Sequence, residues 1–74
     1  MNDVQRLVAL AGELVGLGTV LEEKREVLKT LVGDGVPYDS PQMLAALRDY
    51  QNVETCWNDK ETEYLSLREK LSRG

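Results

Sequence analysis

Few side chains in this sequence are capable of chemistry. The 74 residues include 13 aspartates and glutamates and one cysteine, Cys56, but no histidine. Without an imidazole, the commonest arrangements for nucleophilic and general acid–base catalysis cannot form. Glu54 and Asp59 lie close to Cys56 in sequence, and their negative charges oppose thiolate formation. We therefore expect a non-catalytic protein in which Cys56 is a packed or half-buried residue.

The carboxylates form no clear site for a metal or a cofactor. Asp59, Glu61 and Glu63 make an acidic patch that is a weaker candidate for a metal site than for contact with a basic partner. The loop segment 34–39 is too short for a calcium-binding loop and lacks its ligand pattern. The sequence contains no glycine-rich phosphate loop. We expect no cofactor, no metal and no small-molecule substrate.

The charge pattern argues against nucleic acids and membranes as partners. The net charge is -4, and the nine basic residues are dispersed along the chain. They form no stripe that would grip a phosphate backbone or anionic lipid. The most apolar stretch, residues 7–21, is shorter than the roughly 20 residues that span a bilayer. It also lacks the positive start of a signal peptide. We expect a cytoplasmic protein.

The sequence divides once, at a turn rich in glycine, proline and aspartate between residues 33 and 39. We predict a first helix at about 3–32, a loop at 33–39 and a second helix at about 40–72. Ser40 followed by Pro41 is typical of an N-cap and a first helical residue, with Asp39 and Gln42 as an alternative capping pair. The predicted fold is a single all-α domain, an antiparallel two-helix hairpin.

Apolar residues recur every seven positions in both helices, as in a coiled coil. The first helix carries Leu7, Leu14, Leu21 and Leu28, accompanied by Leu10, Leu17 and Leu31, with Lys24 as the exception. The second carries Met43, Tyr50, Trp57, Tyr64 and Leu71. Two such seams joined by a short loop should pack antiparallel. Gly16 and Gly18 each weaken the first helix by about 1 kcal/mol, so a break there is the alternative to one continuous helix.

The first helix is apolar or small on more sides than the second helix can cover. Val4, Val8 and Val15 form a second face, and a third face contains Ala9, Gly12, Gly16 and Thr19. Such a surface on a soluble protein is typically a binding site. The predicted protein interface consists of Leu7, Val8, Leu10, Gly12, Leu14, Val15, Gly16, Leu17, Leu21, Trp57 and Tyr64. Which face packs within the chain stays open.

Two local contacts are also expected. Gly16 should lie level with Trp57, so that either Trp57 fills the notch at Gly12 and Gly16 within the hairpin or a helix of another chain enters it. Alternatively, these glycines are incidental. Within the first helix, the spacing predicts exposed ion pairs, which are Glu22 with Arg25 and Glu26 with Lys29.

Two functions fit these features. The first is a protein–protein interaction module that self-associates into a homodimeric four-helix bundle and presents a surface to a protein target. The alternative is a small adaptor or co-chaperone that caps an aggregation-prone helix of a partner. Co-chaperones of bacterial type III secretion systems are similar in size and architecture, although no residue motif here connects the chain to them.

Overall fold

The computed structural model describes residues 2–73, and these residues form two helices and no strand. Helix α1 runs Asp3–Gly33 and helix α2 runs Pro41–Arg73, against the predicted 3–32 and 40–72. The helices lie side by side in a rod of 53 × 17 × 16 Å. The predicted all-α class and helical hairpin are therefore confirmed.

Helix α1 begins with a reciprocal cap. The Oδ1 of Asn2 accepts a hydrogen bond from the backbone N–H of Gln5 at 2.8 Å, and the Oε1 of Gln5 accepts from the N–H of Asn2 at 3.1 Å. This arrangement is a capping box, which satisfies two N–H groups that have no partner within the helix. From there α1 continues through Gly16 and Gly18 without a break.

The end of α1 is a tight turn that depends on Gly35. This residue has φ +76°, a left-handed conformation that glycine adopts without strain. The N–H of Gly35 bonds to the carbonyl of Val32 at 3.1 Å, and the N–H of Val36 bonds to that of Leu31 at 3.0 Å. These two bonds define a Schellman motif. It stops α1 and turns the chain back toward α2.

Helix α2 begins as one of the two predicted caps requires. The Oγ of Ser40 accepts a hydrogen bond from the backbone N–H of Met43 at 3.2 Å. Ser40 is therefore the N-cap and Pro41 the first helical residue, where the missing proline N–H costs nothing. The interpretation based on Ser40 is confirmed over the one based on Asp39 and Gln42.

The leucine seam of α1 packs inside the hairpin, against the apolar stripe of α2. Among residues 2–73 only Leu10, Leu31 and Met43 are buried, with 0%, 7% and 1% of their surface exposed. The flanking seam residues are half-buried: Leu7, Leu14, Leu17, Leu21 and Leu28 on α1, and Tyr50, Val53, Trp57, Tyr64, Leu67 and Leu71 on α2. The intra-chain face of α1 is thus the leucine face.

Within the described residues, three ion pairs join the two helices, and all three involve the N-terminal half of α1. They are Asp3 with Lys70 at 3.0 Å, Arg6 with Glu63, and Glu13 with Lys60 at 3.2 Å. Each pair is partly exposed, so solvent screens the attraction and the contribution of each pair to stability is small. Their main effect is to fix the register of the helices at the end opposite the loop.

Candidate protein interface

The side of α1 that faces away from α2 carries an uncharged surface, which we call the valine stripe. It consists of Val4, Val8, Gly12, Val15 and Thr19. At about 100° per residue these positions fall within a sector of roughly 80°, nearly opposite the leucine seam. All five residues are exposed, and 59%, 67% and 73% of Val4, Val8 and Val15 is exposed.

The valine stripe differs from the outer face of an ordinary surface helix. Such a helix has one apolar face toward the core and charged residues on the opposite face. In α1 the leucine seam already provides the core face, yet no charged residue interrupts the stripe between positions 4 and 19. An apolar patch of this kind is a candidate contact surface for another chain.

Charged residues end the valine stripe on its C-terminal side. Glu22 and Glu26 continue the same sector of α1 and are exposed. They pair with Arg25 and Lys29, each at 3.3 Å, and both predicted ion pairs are thereby confirmed. The stripe is therefore limited to the N-terminal half of α1. The same half of α1 forms the three ion pairs with α2.

The predicted interface residues divide between the two sides of α1. Those that lie in the seam within the chain are Leu7, Leu10, Leu14, Leu17 and Leu21, together with Trp57 and Tyr64 of α2. Those that lie on exposed surface are Val8, Gly12, Val15 and Gly16. Leu10 has no exposed area for a further chain to touch. That these residues form an interface between chains stays a prediction, to which the structure adds Val4 and Thr19 as candidates.

Of the alternatives predicted for the notch at Gly12 and Gly16, the packing of Trp57 into it within the hairpin is wrong. A Cβ added at either glycine would meet nothing within 4 Å, whereas a Cβ added at Gly18 would lie 3.8 Å from Nε1 of Trp57. Gly18 sits at the edge of the leucine seam, while Gly12 and Gly16 face away from α2. The surface at these two glycines is thus open to solvent.

Among residues 2–73, the side chains that could take part in catalysis or metal binding do not lie together in one site. Cys56, expected to be packed or half-buried, is exposed, because it lies outside the apolar stripe of α2. In the acidic patch, Asp59 is exposed and Glu61 is half-buried, while Glu63 is paired with Arg6. Within residues 2–73, no group of three or more cysteine, aspartate and glutamate side chains is placed to hold a metal ion.

The pair of Arg6 and Glu63 has a measurable electrostatic signature. The Nε of Arg6 donates a hydrogen bond to Oε1 of Glu63 at 3.0 Å, and Nη2 donates to the same oxygen. This hydrogen bonding lowers the pKa of the Glu63 carboxyl from its ordinary value of 4.5. The same bond raises the pKa of the Arg6 guanidinium.

A groove of about 330 Å³ lies between the helices near the loop. It is lined by Lys24, Val27, Leu31, Gln42, Ala45, Ala46 and Asp49. The alanines of α2 are too small to fill the space opposite α1, and Lys24 is the one charged residue of the leucine seam. The groove thus offers an apolar floor with one positive and one negative group at its edges.

By length and composition alone, α1 could cross a membrane, and little of its apolar window is buried. The core helix of a soluble protein, which is mostly buried, and a signal sequence near an N-terminus meet the same criteria of length and composition. The apolar half of α1 contains Arg6 and Glu13, which pair with Glu63 and Lys60 of α2. The expectation that the protein does not bind membranes stays a prediction.

No family model, curated protein or solved structure shows significant similarity to this chain.

Proposed function

We propose that this protein is a non-catalytic protein–protein interaction module that dimerises through the valine stripe. Two hairpins joined along α1 make a four-helix bundle, whose remaining surface is presented to a protein target in the cytoplasm. The observation that carries this proposal is the exposure of Val4, Val8 and Val15 at 59–73% on a helix whose other apolar side is already packed.

The small core of the hairpin supports the need for a further chain. With so few fully buried residues, one hairpin has little apolar burial to offset the entropy lost on folding. Complete burial of a valine side chain contributes about 1.5–3 kcal/mol. A two-fold dimer buries each stripe valine twice, once in each copy, so covering this surface adds several kcal/mol of gross stabilisation.

The surface left exposed by this dimer is available for the target. It includes the polar outer face of α2 and the loop end, where 72% of Tyr38 and 51% of Leu44 is exposed. Aromatic and aliphatic side chains in such a setting are the usual anchors of protein interfaces. We place the target contact at the loop end, because the valine stripe at the other end is used for dimerisation.

The groove near the loop favours a second candidate function, that of an adaptor or co-chaperone. Its apolar floor and its flanking Lys24 and Asp49 suit a short amphipathic segment of a partner protein. In that case the isolated chain would be incomplete, and the valine stripe would be covered by the partner rather than by a second copy.

The two candidates predict different behaviour for the pure protein. Light scattering over a hundredfold concentration range, with circular dichroism on the same samples, separates them. The module should be highly helical with twice the 8.3 kDa of one chain at the upper concentrations. A poorly helical or polydisperse chain would favour the adaptor. A stable helical monomer throughout would refute dimerisation.

A further inference from the structure

The geometry points to one arrangement of the proposed dimer. The second copy docks antiparallel on the valine stripe, with the two-fold axis passing between Ala11 and Gly12. This inference rests on the proposed self-association and adds its orientation and register. It is carried by the symmetry of the stripe, by the small residues at its centre and by the charges at its end.

The valine stripe is symmetric about its own midpoint. An antiparallel copy centred between Ala11 and Gly12 sets Val4 opposite Thr19 of the partner copy, and Val8 opposite its Val15. Each of these contacts occurs twice, as an interface between identical surfaces requires. All the residues placed together in this way are uncharged, and the four that flank the centre on each copy are exposed.

The centre of the stripe allows close approach of two backbones. Gly12 has no side chain and no neighbour within 4 Å of where a Cβ would stand. Ala11, beside it, has only a methyl group. Small residues at a helix crossing let the axes come closer than the usual 8–10 Å. Closest contact at residues 11 and 12 brings Val8 of each copy within reach of Val15 of the other.

The glutamates beyond the stripe decide between antiparallel and parallel docking. Glu22 and Glu26 lie in the sector of α1 that contains the stripe, with 59% and 58% of their side chains exposed. A parallel copy would set each of them against its own equivalent, so that like charges face each other across the interface, while Arg25 and Lys29 pair with them within each helix. In the antiparallel register Glu22 instead lies level with the N-terminus of the partner copy's α1. The helix dipole makes that end positive and favours an adjacent carboxylate.

The same charges disfavour other occupants. A long helix from another protein would run from the stripe onto Glu22 and Glu26 and would need basic residues there. An anionic membrane surface would be repelled by the net charge of -4. A second copy in the antiparallel register covers the stripe with its own uncharged residues.

Disulfide cross-linking tests the orientation directly. In a Cys56→Ser background, single cysteines are introduced as Gly12→Cys, Val4→Cys and Thr19→Cys, and each variant is oxidised under mild conditions. A disulfide requires Cα atoms within about 7 Å. In the antiparallel dimer the two copies of residue 4 are about 22 Å apart along the axis. Leu44→Cys, exposed on α2, gives the background rate of random collision.

We expect Gly12→Cys to cross-link alone, at least tenfold faster than Leu44→Cys. Val4→Cys and Thr19→Cys should each stay at the background rate alone and cross-link rapidly when mixed. Rapid cross-linking of Val4→Cys with itself would overturn the antiparallel orientation. Background rates in all samples, with a dimeric mass, would show that the stripe is not the interface. A monomeric mass for the Cys56→Ser protein would instead overturn the proposed self-association.

Discussion

The indole Nε1 of Trp57 lies 3.8 Å from the position that a Cβ would occupy on Gly18. This distance is an ordinary van der Waals contact, so alanine fits at residue 18 without displacing the indole. Because alanine favours the helix interior over glycine by about 1 kcal/mol, Gly18→Ala should raise the free energy of unfolding by up to that amount.

Urea unfolding at a fixed protein concentration measures this effect. Gly18→Leu is the contrasting variant, since its longer side chain must displace the indole of Trp57, and we expect it to lower stability. A Gly18→Leu protein as stable as Gly18→Ala would contradict the contact between residue 18 and Trp57.

Leu10 should be the most sensitive position of the hairpin core. It has no exposed surface, and truncation of a buried leucine to alanine costs about 2–5 kcal/mol. We expect Leu10→Ala to lower the free energy of unfolding by an amount in that range. Leu65→Ala is the matched control, because 45% of Leu65 is exposed on α2. Equal effects of the two substitutions on the urea midpoint would argue against the leucine seam as the core.

The hairpin could be predicted because its signals are local. Heptad leucines define the seam, and Ser40 with Pro41 marks the start of α2. The spacing of Asn2 and Gln5 is an equally local signal of the capping box that begins α1. The sequence did not predict that Trp57 lies beside Gly18 rather than Gly16. The register of the two helices depends on the conformation of the turn around Gly35.

Contacts between the helices were also beyond prediction. By sequence Glu63 belongs to the acidic patch with Asp59 and Glu61, yet its side chain pairs with Arg6. Whether a side chain of one helix contacts the other depends on the distance between the helix axes, and the sequence pattern does not predict that distance. For the same reason the pattern left open which face of α1 packs within the chain, while it predicted correctly the pairs of Glu22 with Arg25 and of Glu26 with Lys29, which lie within one helix.

The ion pair of Arg6 and Glu63 predicts an acid-sensitive contribution to stability. Folding lowers the pKa of Glu63 below 4.5, so the unfolded chain binds this proton more tightly. The contribution is therefore present above pH 4.5 and is lost as the pH falls through the lower pKa of the folded state. The same hydrogen bond raises the pKa of Arg6, so the guanidinium stays charged at every pH of the test.

Thermal unfolding between pH 7 and pH 2 tests this dependence. Glu63→Gln should lower Tm slightly at pH 7 and should converge with the wild type at the lowest pH. Glu69→Gln is the control, because Glu69 pairs with Arg73 within α2 and not across the hairpin. A constant difference in Tm between Glu63→Gln and wild type at every pH would contradict the role of the pair.

The apolar character of α1 calls for a test of membrane binding. We expect the pure protein to remain in the aqueous fraction on flotation with zwitterionic vesicles and with vesicles containing anionic lipid. Its valine stripe is covered in the dimer, and its negative charge is repelled by the anionic surface. Flotation of most of the protein with either vesicle would contradict the proposed cytoplasmic role.

The most direct test of the central claim is the solution mass of a variant with a charged valine stripe. Val8→Glu with Val15→Glu places carboxylates where 67% and 73% of the native side chains is exposed in the single hairpin. Leu44→Glu is the control, because Leu44 is an apolar residue on α2, 51% exposed, and lies outside the stripe. By sedimentation velocity, the stripe variant should be a monomer, and a less stable one because the core of one hairpin is small, while the control and the wild type stay dimeric. A stripe variant that remains dimeric at the same concentration would contradict the account.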